Sequence, residues 1–347
     1  MLSPMLDGML LPLLVAMFLG VNMGGSGTAP SFATAYGSGI LRKEFIPGLF
    51  GLFVILGALL AGKNTAVTLG KGILPSESLD YTLTTIILFS VTLSLLFANL
   101  LGVPQSTSQS TVFALVAPAT YLHELNARKV FLEIVPTWVI LPIVSFGIVY
   151  FIGKVLIKRF DEKHPGYFFT DKRQNFFRWV VIITSCYVAF SIGSNNVANA
   201  AGPVTSMITN ELNINPSGQN FLLIMILSTL IIAPSFGIGS SIFGRKLMIK
   251  TGIEIVQLGK VEASIISFIT ATLLLTASVS KGIPTSLVQL NTFAILALSV
   301  TKKGWKETFS NSVVKRLWLI WLIAPFIAFA ISYLLTMVFH QAGLLSI

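Results

Sequence analysis

The chain has 347 residues, of which 54% are hydrophobic and only 10% are charged, and its formal net charge is +10. Because an ordinary soluble domain carries about 25% charged residues, these values and a mean hydropathy of +0.84 exclude a typical soluble fold and indicate a protein of the lipid bilayer. The basic residues lie in short segments between apolar runs, which argues against nucleic acid as a partner.

Apolar segments recur along the chain, and about 20 apolar residues are enough to cross the hydrocarbon core of a membrane. Ten crossings are predicted, at residues 8–40, 46–62, 81–101, 107–122, 131–153, 178–210, 219–242, 263–280, 285–300 and 317–340. The polar cytoplasmic linker 154–177 separates a first transmembrane repeat, 1–153, from a second, 178–347. Since five crossings is an odd number, homologous halves must insert with opposite orientations. We therefore expect an all-α membrane protein with an inverted-topology repeat.

The distribution of basic residues predicts the orientation. Eighteen of the 23 fall in residues 154–178 and in three loops on the same side, and the other five fall on the opposite side. Since basic residues mark cytoplasmic loops, we expect a multi-pass protein of the plasma (inner) membrane with a cytoplasmic central loop and both termini external. The first apolar run lacks a basic leader and a cleavage site, so no removable signal peptide is expected.

The two halves share short stretches of sequence. Residues 102–114 align with residues 282–294 at an offset of 180, and six of thirteen positions are identical. A weaker pair, residues 20–30 and 193–203, has three identities in eleven positions at an offset of 173. Because both pairs occur in the same order and at similar offsets, they indicate a repeat of the whole half.

Both copies of the stronger repeat contain a Gly-x-Pro-x-Ser motif, which predicts the start of a helix. Proline suits the first helical turn, and serine can cap its free N–H groups. The following helix has about 16 residues and a length of about 24 Å, so it cannot cross alone, and we expect both N-termini near the membrane midplane. Helix N-termini attract anions. Small hydroxyl residues can also serve close helix packing alone, but the matched pair favours binding.

The weaker repeat predicts a break in each of two long helices. Gly24, Gly25 and Gly27 disfavour helix in the first copy, and Asn195 and Asn196 place amides inside a span in the second. Broken helices at matching positions of two halves point to the binding site of a transporter. Amide hydrogen bonds between helices are the alternative explanation.

Neutral groups make up the predicted site. No Lys or Arg lies in the interior of a predicted span, and the acidic residues lie in loops or at span edges, with Glu133 and Glu262 nearest to spans. We expect a small oxyanion held by N–H groups, amides and hydroxyls, with no metal, cofactor or catalytic residue. The candidate binding residues are Asn22, Gly25, Ser26, Ser106, Thr107, Ser108, Gln109, Asn195, Asn196, Asn199, Ser286 and Gln289.

At these residues the chain resembles the inorganic phosphate transporter family. Residues 193–203, Gly-Ser-Asn-Asn-Val-Ala-Asn-Ala-Ala-Gly-Pro, are similar to its Gly-Ala-Asn-Asp-Val-Ala-Asn-Ala signature, and residues 104–109 to its Pro-x-Ser-Thr-Thr-His segment. Residues 20–27 and 284–289 are looser copies. The resemblance covers nearly the whole chain and implies an inverted repeat that binds substrate and coupling ions between its halves, in a homodimer.

Departures from the family pattern bear on the substrate and the coupling ion. Met23 and Asn196 replace the signature aspartates, and Gln109 replaces the histidine. The resemblance assigns those aspartates to sodium coordination, so a proton is favoured over sodium. Hydrogen phosphate carries a proton that needs an acceptor, whereas sulfate only accepts hydrogen bonds. The sequence thus looks like the bacterial sulfate permease branch and predicts sulfate symport, with phosphate symport as the alternative; molybdate, selenate and thiosulfate share the acceptor-only character of sulfate.

Two other classes of membrane protein share features with this sequence. Residues 24–27, Gly-Gly-Ser-Gly, match the Gly-x-Ser-Gly of intramembrane serine proteases, but His123, His164 and His340 fall in loops or at a span end, so the base that a serine nucleophile needs is missing. The membrane subunit of an ATP-driven importer would need a separate ATPase, because the chain has no Gly-x-x-x-x-Gly-Lys-Ser/Thr loop. The paired repeat favours a transporter that works alone.

Cysteine labelling tests the predicted orientation. Cys186 is the single cysteine, so Cys186→Ala provides a background without thiols. In that background, Ser3→Cys should react with a membrane-impermeant maleimide in intact cells, because both termini are expected outside. Asp171→Cys should react only after the membrane is opened, and its labelling in intact cells would contradict the orientation.

Overall fold

The structure, a computed structural model, describes residues 4–101, 105–157, 171–215, 219–251 and 259–345. Within these ranges the regular secondary structure is entirely helical, as the sequence predicts. Residues 158–170 of the predicted linker and residues 102–104 of the first Gly-x-Pro motif lie outside the described ranges. The helix after the linker begins at Asp171, seven residues before the predicted start of the second repeat.

Fifteen α-helices are described, numbered here in chain order. In the first repeat they are α1 Pro4–Gly37, α2 Ile46–Ala61, α3 Lys63–Val67, α4 Tyr81–Leu101, α5 Thr107–Tyr121 and α6 Val135–Phe151. In the second they are α7 Asp171–Asn196, α8 Ala198–Glu211, α9 Gln219–Ile232, α10 Pro234–Gly239, α11 Arg245–Thr251, α12 Lys260–Lys281, α13 Leu287–Lys303, α14 Trp305–Ser310 and α15 Ser312–Gln341. Turns of π-helix continue α3, flank α6 and join α10 to α11.

Fewer helices than the predicted ten can cross a membrane by themselves. Among the described residues, seven helical segments are long and apolar enough, and an eighth is obtained when α2 and the helix after it, bent by 73°, are counted together. The remaining two predicted crossings are α5, with 15 residues, and α13, with 17 residues. At 1.5 Å per residue they are about 23 and 26 Å long, short of the roughly 30 Å of hydrocarbon.

The first predicted helix break is absent, and the second is reduced to a single residue whose backbone stays helical. Helix α1 continues through Gly24 and Gly25 because these glycines admit another helix. A Cβ added at Gly24 would lie 2.2 Å from the carbonyl oxygen of Phe236, and one at Gly25 would lie 2.6 Å from Cβ of Phe243. Small residues of this kind permit close packing inside membranes, which outweighs their low helix propensity. In the second repeat, only Val197 interrupts the helix, between α7 and α8, and Asn175–Glu211 remains one helical segment long enough to cross.

Each short helix packs against the last long helix of the other repeat. Helix α5 lies along α15, and α13 lies along α6. Hydroxyl groups join these pairs: Ser332 Oγ donates to the carbonyl oxygen of Ala114 at 2.7 Å, and Ser145 Oγ donates to that of Leu290 at 3.0 Å. The two repeats therefore interlock, and each holds the short helix of the other.

Glycine also brings α2 and α7 into backbone contact. A Cβ added at Gly57 would lie 1.9 Å from the carbonyl oxygen of Phe190, and one at Gly193 would lie 2.1 Å from that of Val54. These contacts are reciprocal, since each helix presents a glycine to the backbone of the other. Helix α7 carries Asn196 at its end, so the packing of α2 against α7 determines where that amide lies.

We expect Gly57→Ala to lower the free energy of unfolding by about 1–3 kcal/mol, because α2 and α7 must separate to admit the methyl group. Gly48→Ala, in the same helix, is the matched control: no atom lies within 4 Å of the added carbon. Alanine favours helix over glycine by about 0.5–1 kcal/mol, so the control should be neutral or slightly stabilising. Thermal unfolding of both variants in detergent measures the difference, and equal midpoints would contradict the packing described.

Candidate functional site

The two short helices begin with the same local structure. Ser106 precedes α5 with φ −80° and ψ 105°, and Ser286 precedes α13 with φ −91° and ψ 103°. Each serine Oγ accepts a hydrogen bond from the N–H three residues later, that of Gln109 or Gln289, at 3.3 Å. The sequence repeat at offset 180 is thus also a repeat of capping geometry, and serine acts as the helix cap that the motif predicts.

A small pocket lies between the two helix N-termini. Its walls come from α1, from the end of α7 and from the starts of α5 and α13. The lining residues are Ser26, Gly27, Pro30, Gln105, Ser106, Thr107, Ser108, Ile192, Asn196, Thr285, Ser286, Leu287 and Val288. The structure therefore brings together the two N-termini that the sequence predicted to meet.

First-turn backbone N–H groups are candidate donors to this pocket. The N–H groups of the first helical turn have no partner inside their helix. Among these N–H groups are those of Thr107 and Ser108 in α5 and those of Leu287 and Val288 in α13. All four residues line the pocket. The N-terminal ends of both helices also carry partial positive charge. An anion between them would meet donors from both sides.

No lining residue carries a charged side chain or an imidazole. The lining side chains are hydroxyls, amides and apolar groups; the hydroxyls and amides can donate and accept hydrogen bonds, and none of the lining residues is a carboxylate. Ser26 Oγ donates to the carbonyl oxygen of Met23 at 3.1 Å and has no histidine beside it among the lining residues. The arrangement suits binding of an anion, and it lacks the base that serine protease chemistry requires.

Half of the residues predicted to bind the anion line the pocket. These are Ser26, Ser106, Thr107, Ser108, Asn196 and Ser286. The other six, Asn22, Gly25, Gln109, Asn195, Asn199 and Gln289, are buried outside its lining. Their polar side chains contact other parts of the protein, and Gly25 lies against Phe243.

Asn195 joins the starts of the two short helices. Its side chain is fully buried, and in either orientation of the amide it contacts Ser108, Ser278 and the backbone of Thr285. Ser108 belongs to the first repeat, whereas Ser278 and Thr285 belong to the second. Asn195 therefore positions pocket walls from both repeats, and its amide is occupied by those contacts.

The equivalent amide of the first repeat, Asn22, has a comparable role. Its Nδ2 donates to the carbonyl oxygen of Phe18 at 3.0 Å, and its Oδ1 accepts a hydrogen bond from Asn99 Nδ2 at 3.3 Å. Asn99 lies on α4, and its buried amide joins α4 to α1.

Asn199 is also fully buried; its Nδ2 reaches Ser108 Oγ at 3.5 Å, and its Oδ1 has no partner among the described residues.

Sequence analysis missed several lining residues, of which Gln105 and Thr285 carry polar side chains. Both stand between the proline and the capping serine of their motif, so the repeat alignment itself marks them as an equivalent pair. Leu287 and Val288 were missed because they contribute backbone N–H groups, which side-chain chemistry does not reveal. Gln105 Nε2 donates to Ser94 and Ser110, while its Oε1 has no partner among the described residues.

Trp138 holds the loop before α13 in place. Its Nε1 donates to the carbonyl oxygen of Pro284 at 2.8 Å, and its ring is stacked near that of Phe113, with centroids 6.3 Å apart. The indole is 9% exposed. A residue of the first repeat thus anchors the motif that begins the short helix of the second repeat.

Comparison with known proteins identifies similar chains along nearly the whole length. Residues 23–332 match the model of the phosphate transporter family. The sulfate permease CysP of Bacillus subtilis (strain 168) is 32% identical, over 96% of this chain and 89% of its own. A putative phosphate permease of Pyrococcus furiosus is 26% identical, over 90% of this chain and 92% of its own length. Among solved structures, "The sodium-dependent phosphate transporter" matches with a TM-score of 0.80 and 24% identity, covering 96% of this chain and 99% of that chain.

We expect Trp138→Phe to lower the free energy of unfolding by about 1–3 kcal/mol, because it leaves the buried carbonyl group of Pro284 without its donor. Trp179→Phe is the control, since that indole is 66% exposed. Thermal unfolding in detergent should show a lower midpoint for Trp138→Phe alone. A midpoint equal to that of the control would mean that the hydrogen bond contributes nothing.

Proposed function

The chain belongs to the phosphate transporter family, and we propose that it takes up inorganic sulfate across the plasma membrane by ion-coupled symport. It is a multi-pass membrane transporter, and no enzymatic activity is assigned to it. The substrate would bind between the N-termini of α5 and α13. The observation that carries the proposal is a pocket of neutral donors without a carboxylate.

The donor set of the pocket favours sulfate over hydrogen phosphate. Sulfate accepts hydrogen bonds at every oxygen, so first-turn N–H groups and hydroxyls can satisfy it completely. Hydrogen phosphate carries one proton, and a buried donor without an acceptor costs about 1–3 kcal/mol. Asn196 lies in the pocket where the resemblance places a family aspartate, and Met23, at the matching position of the first repeat, is fully buried.

One relative supports sulfate as the substrate, whereas other relatives are putative phosphate permeases and support the alternative. The sulfate permease CysP matches this chain over almost its entire length. The described residues that line the pocket include no lysine or arginine, so the negative charge of the substrate would be balanced by the helix N-termini and by the coupling cation. We propose a proton for this cation rather than sodium, because neutral side chains occupy the positions of both family aspartates. By analogy with the family, we propose a homodimer.

Phosphate uptake is the second candidate, and one contact favours it. Gln105 lines the pocket, and its Oε1 has no hydrogen-bond partner among the described residues. An amide oxygen can accept a hydrogen bond from the O–H group of hydrogen phosphate, which would give that donor a partner. The orientation of this amide is assigned from the donation of Nε2 to Ser94 and Ser110, and exchange of its oxygen and nitrogen would turn a donor to the pocket.

Uptake by the purified chain in liposomes tests the function. With an inward proton gradient and no ATP, radiolabelled sulfate should accumulate faster than phosphate, because the pocket is rich in donors. An inward sodium gradient alone should have a smaller effect. Uptake that requires an added ATPase would contradict the proposal, and preferential phosphate uptake would favour the second candidate.

Asn196→Asp should reduce sulfate uptake by about 5- to 150-fold, because it replaces a donor by a negative charge beside the anion and a lost donor costs about 1–3 kcal/mol. Any phosphate uptake that it gains should depend more on sodium than that of the parent. Asn175→Asp is the control, since Asn175 lies on the same helix and is exposed. Sulfate uptake unchanged in Asn196→Asp would place the anion elsewhere.

A further inference from the structure

Gln109 and Gln289 form a reciprocal amide pair between the two repeats. Nε2 of each donates to Oε1 of the other, at 3.0 Å in both directions. The two residues are 180 positions apart, which is the offset of the sequence repeat. Their exposed fractions are 7% and 9%, and neither lines the pocket. The two glutamines occupy equivalent positions of the two short helices and are thus hydrogen-bonded to each other.

The pair is connected directly to the caps of the two short helices. The backbone N–H of Gln109 donates to Ser106 Oγ, and that of Gln289 donates to Ser286 Oγ. Both serines line the pocket. The amide pair therefore lies within the first turn of each short helix, one residue beyond Ser108 and Val288, and connects the two N-termini directly.

Symmetry distinguishes this contact from others between the repeats. In an inverted repeat the two access states exchange the conformations of the halves, so a contact between two residues is replaced by the contact between their counterparts. The Ser108–Asn195 contact would be replaced by one between Val288 and Asn22, and valine has no hydroxyl. Gln109 and Gln289 are each other's counterparts, so exchange of the halves forms the same contact again. The pair can therefore be present in both states.

We propose that the Gln109–Gln289 pair is the pivot of the transport cycle. The two glutamines act as positioning residues that hold the N-termini of α5 and α13 around the anion, and they stay paired while the site changes access. They do not ligate the anion. The inference rests on the proposed function and on the inverted arrangement of the halves.

A double-mutant cycle separates positioning from binding. Methionine has nearly the shape of glutamine but no amide, so Gln109→Met and Gln289→Met each leave the partner amide buried and unpaired, whereas the double variant leaves none. Maximal uptake per folded protein should fall at least about fivefold in each single variant, and the double variant should lose clearly less than the product of the two single losses, because it leaves no amide unpaired. Losses that multiply in the double variant would indicate anion ligands and overturn the proposal. If the single variants changed only the midpoint of thermal unfolding and kept the KM and the maximal rate of the parent, the proposal would be overturned as well.

Bridging the pair tests whether it persists through the cycle. In the Cys186→Ala background, Gln109→Cys with Gln289→Cys provides two thiols that Hg²⁺ can join, and titration of free thiols reports the bridge. The bridged protein should retain at least about half of its uptake, because a pivot does not open. Abolished uptake would identify a gate instead, and failure of the bridge to form would show that the two positions are not adjacent; either result overturns the proposal. Hg²⁺-treated Cys186→Ala is the control.

Failure of this inference can be told apart from failure of the proposed function. The variants are compared with the parent on the oxyanion that the parent carries, so a preference for phosphate leaves the comparison intact. A parent chain that carries neither sulfate nor phosphate under any gradient overturns the proposed function by itself, without reference to Gln109 or Gln289.

Discussion

The structure depends on one constraint: inside a membrane, the backbone N–H groups at the start of a helix have no water to bind. Two helices, α5 and α13, are too short to cross, so their N-termini face each other inside the protein. Serine caps satisfy one N–H group in each. Thr107, Ser108, Leu287 and Val288 line the pocket, their N–H groups have no partner inside their helices, and leaving such groups unsatisfied away from water would cost free energy. An anion between the two ends supplies acceptors for both helices at once.

The remaining polar side chains near the site serve to hold these two ends in place. Asn195 contacts residues of both repeats, Trp138 anchors the loop at Pro284, and hydroxyls of α1 bond to their own helix, as Thr28 does to the carbonyl oxygen of Gly24. Buried polar groups in proteins are almost always paired. A site of this kind therefore needs a second set of polar residues that never touch the substrate.

That requirement explains which predictions from the sequence succeeded. The helical fold, the short helices and the capping serines follow from local pattern, because proline, serine and the length of apolar runs act within a few residues. The partner of a buried amide is not local: Asn196 faces the pocket, whereas Asn195, one position earlier, bonds to other side chains. The continuity of α1 through Gly24 was likewise unpredictable, because it depends on contact with Phe236, which lies more than 200 residues away in the sequence.

The pocket is less symmetric than the repeat that builds it. The capping serines and the glutamine pair are equivalent in the two halves, but Asn196 corresponds to Met23, and Gln105 corresponds to Thr285. An anion between equivalent helix ends therefore meets unequal side chains around it. The helix ends are backbone features that any small oxyanion can use, so the power to discriminate among oxyanions must lie in the unequal positions. Because the glutamines bond to each other, substitutions at Asn196 and Gln105 can alter selectivity while the distance between the helix ends is preserved.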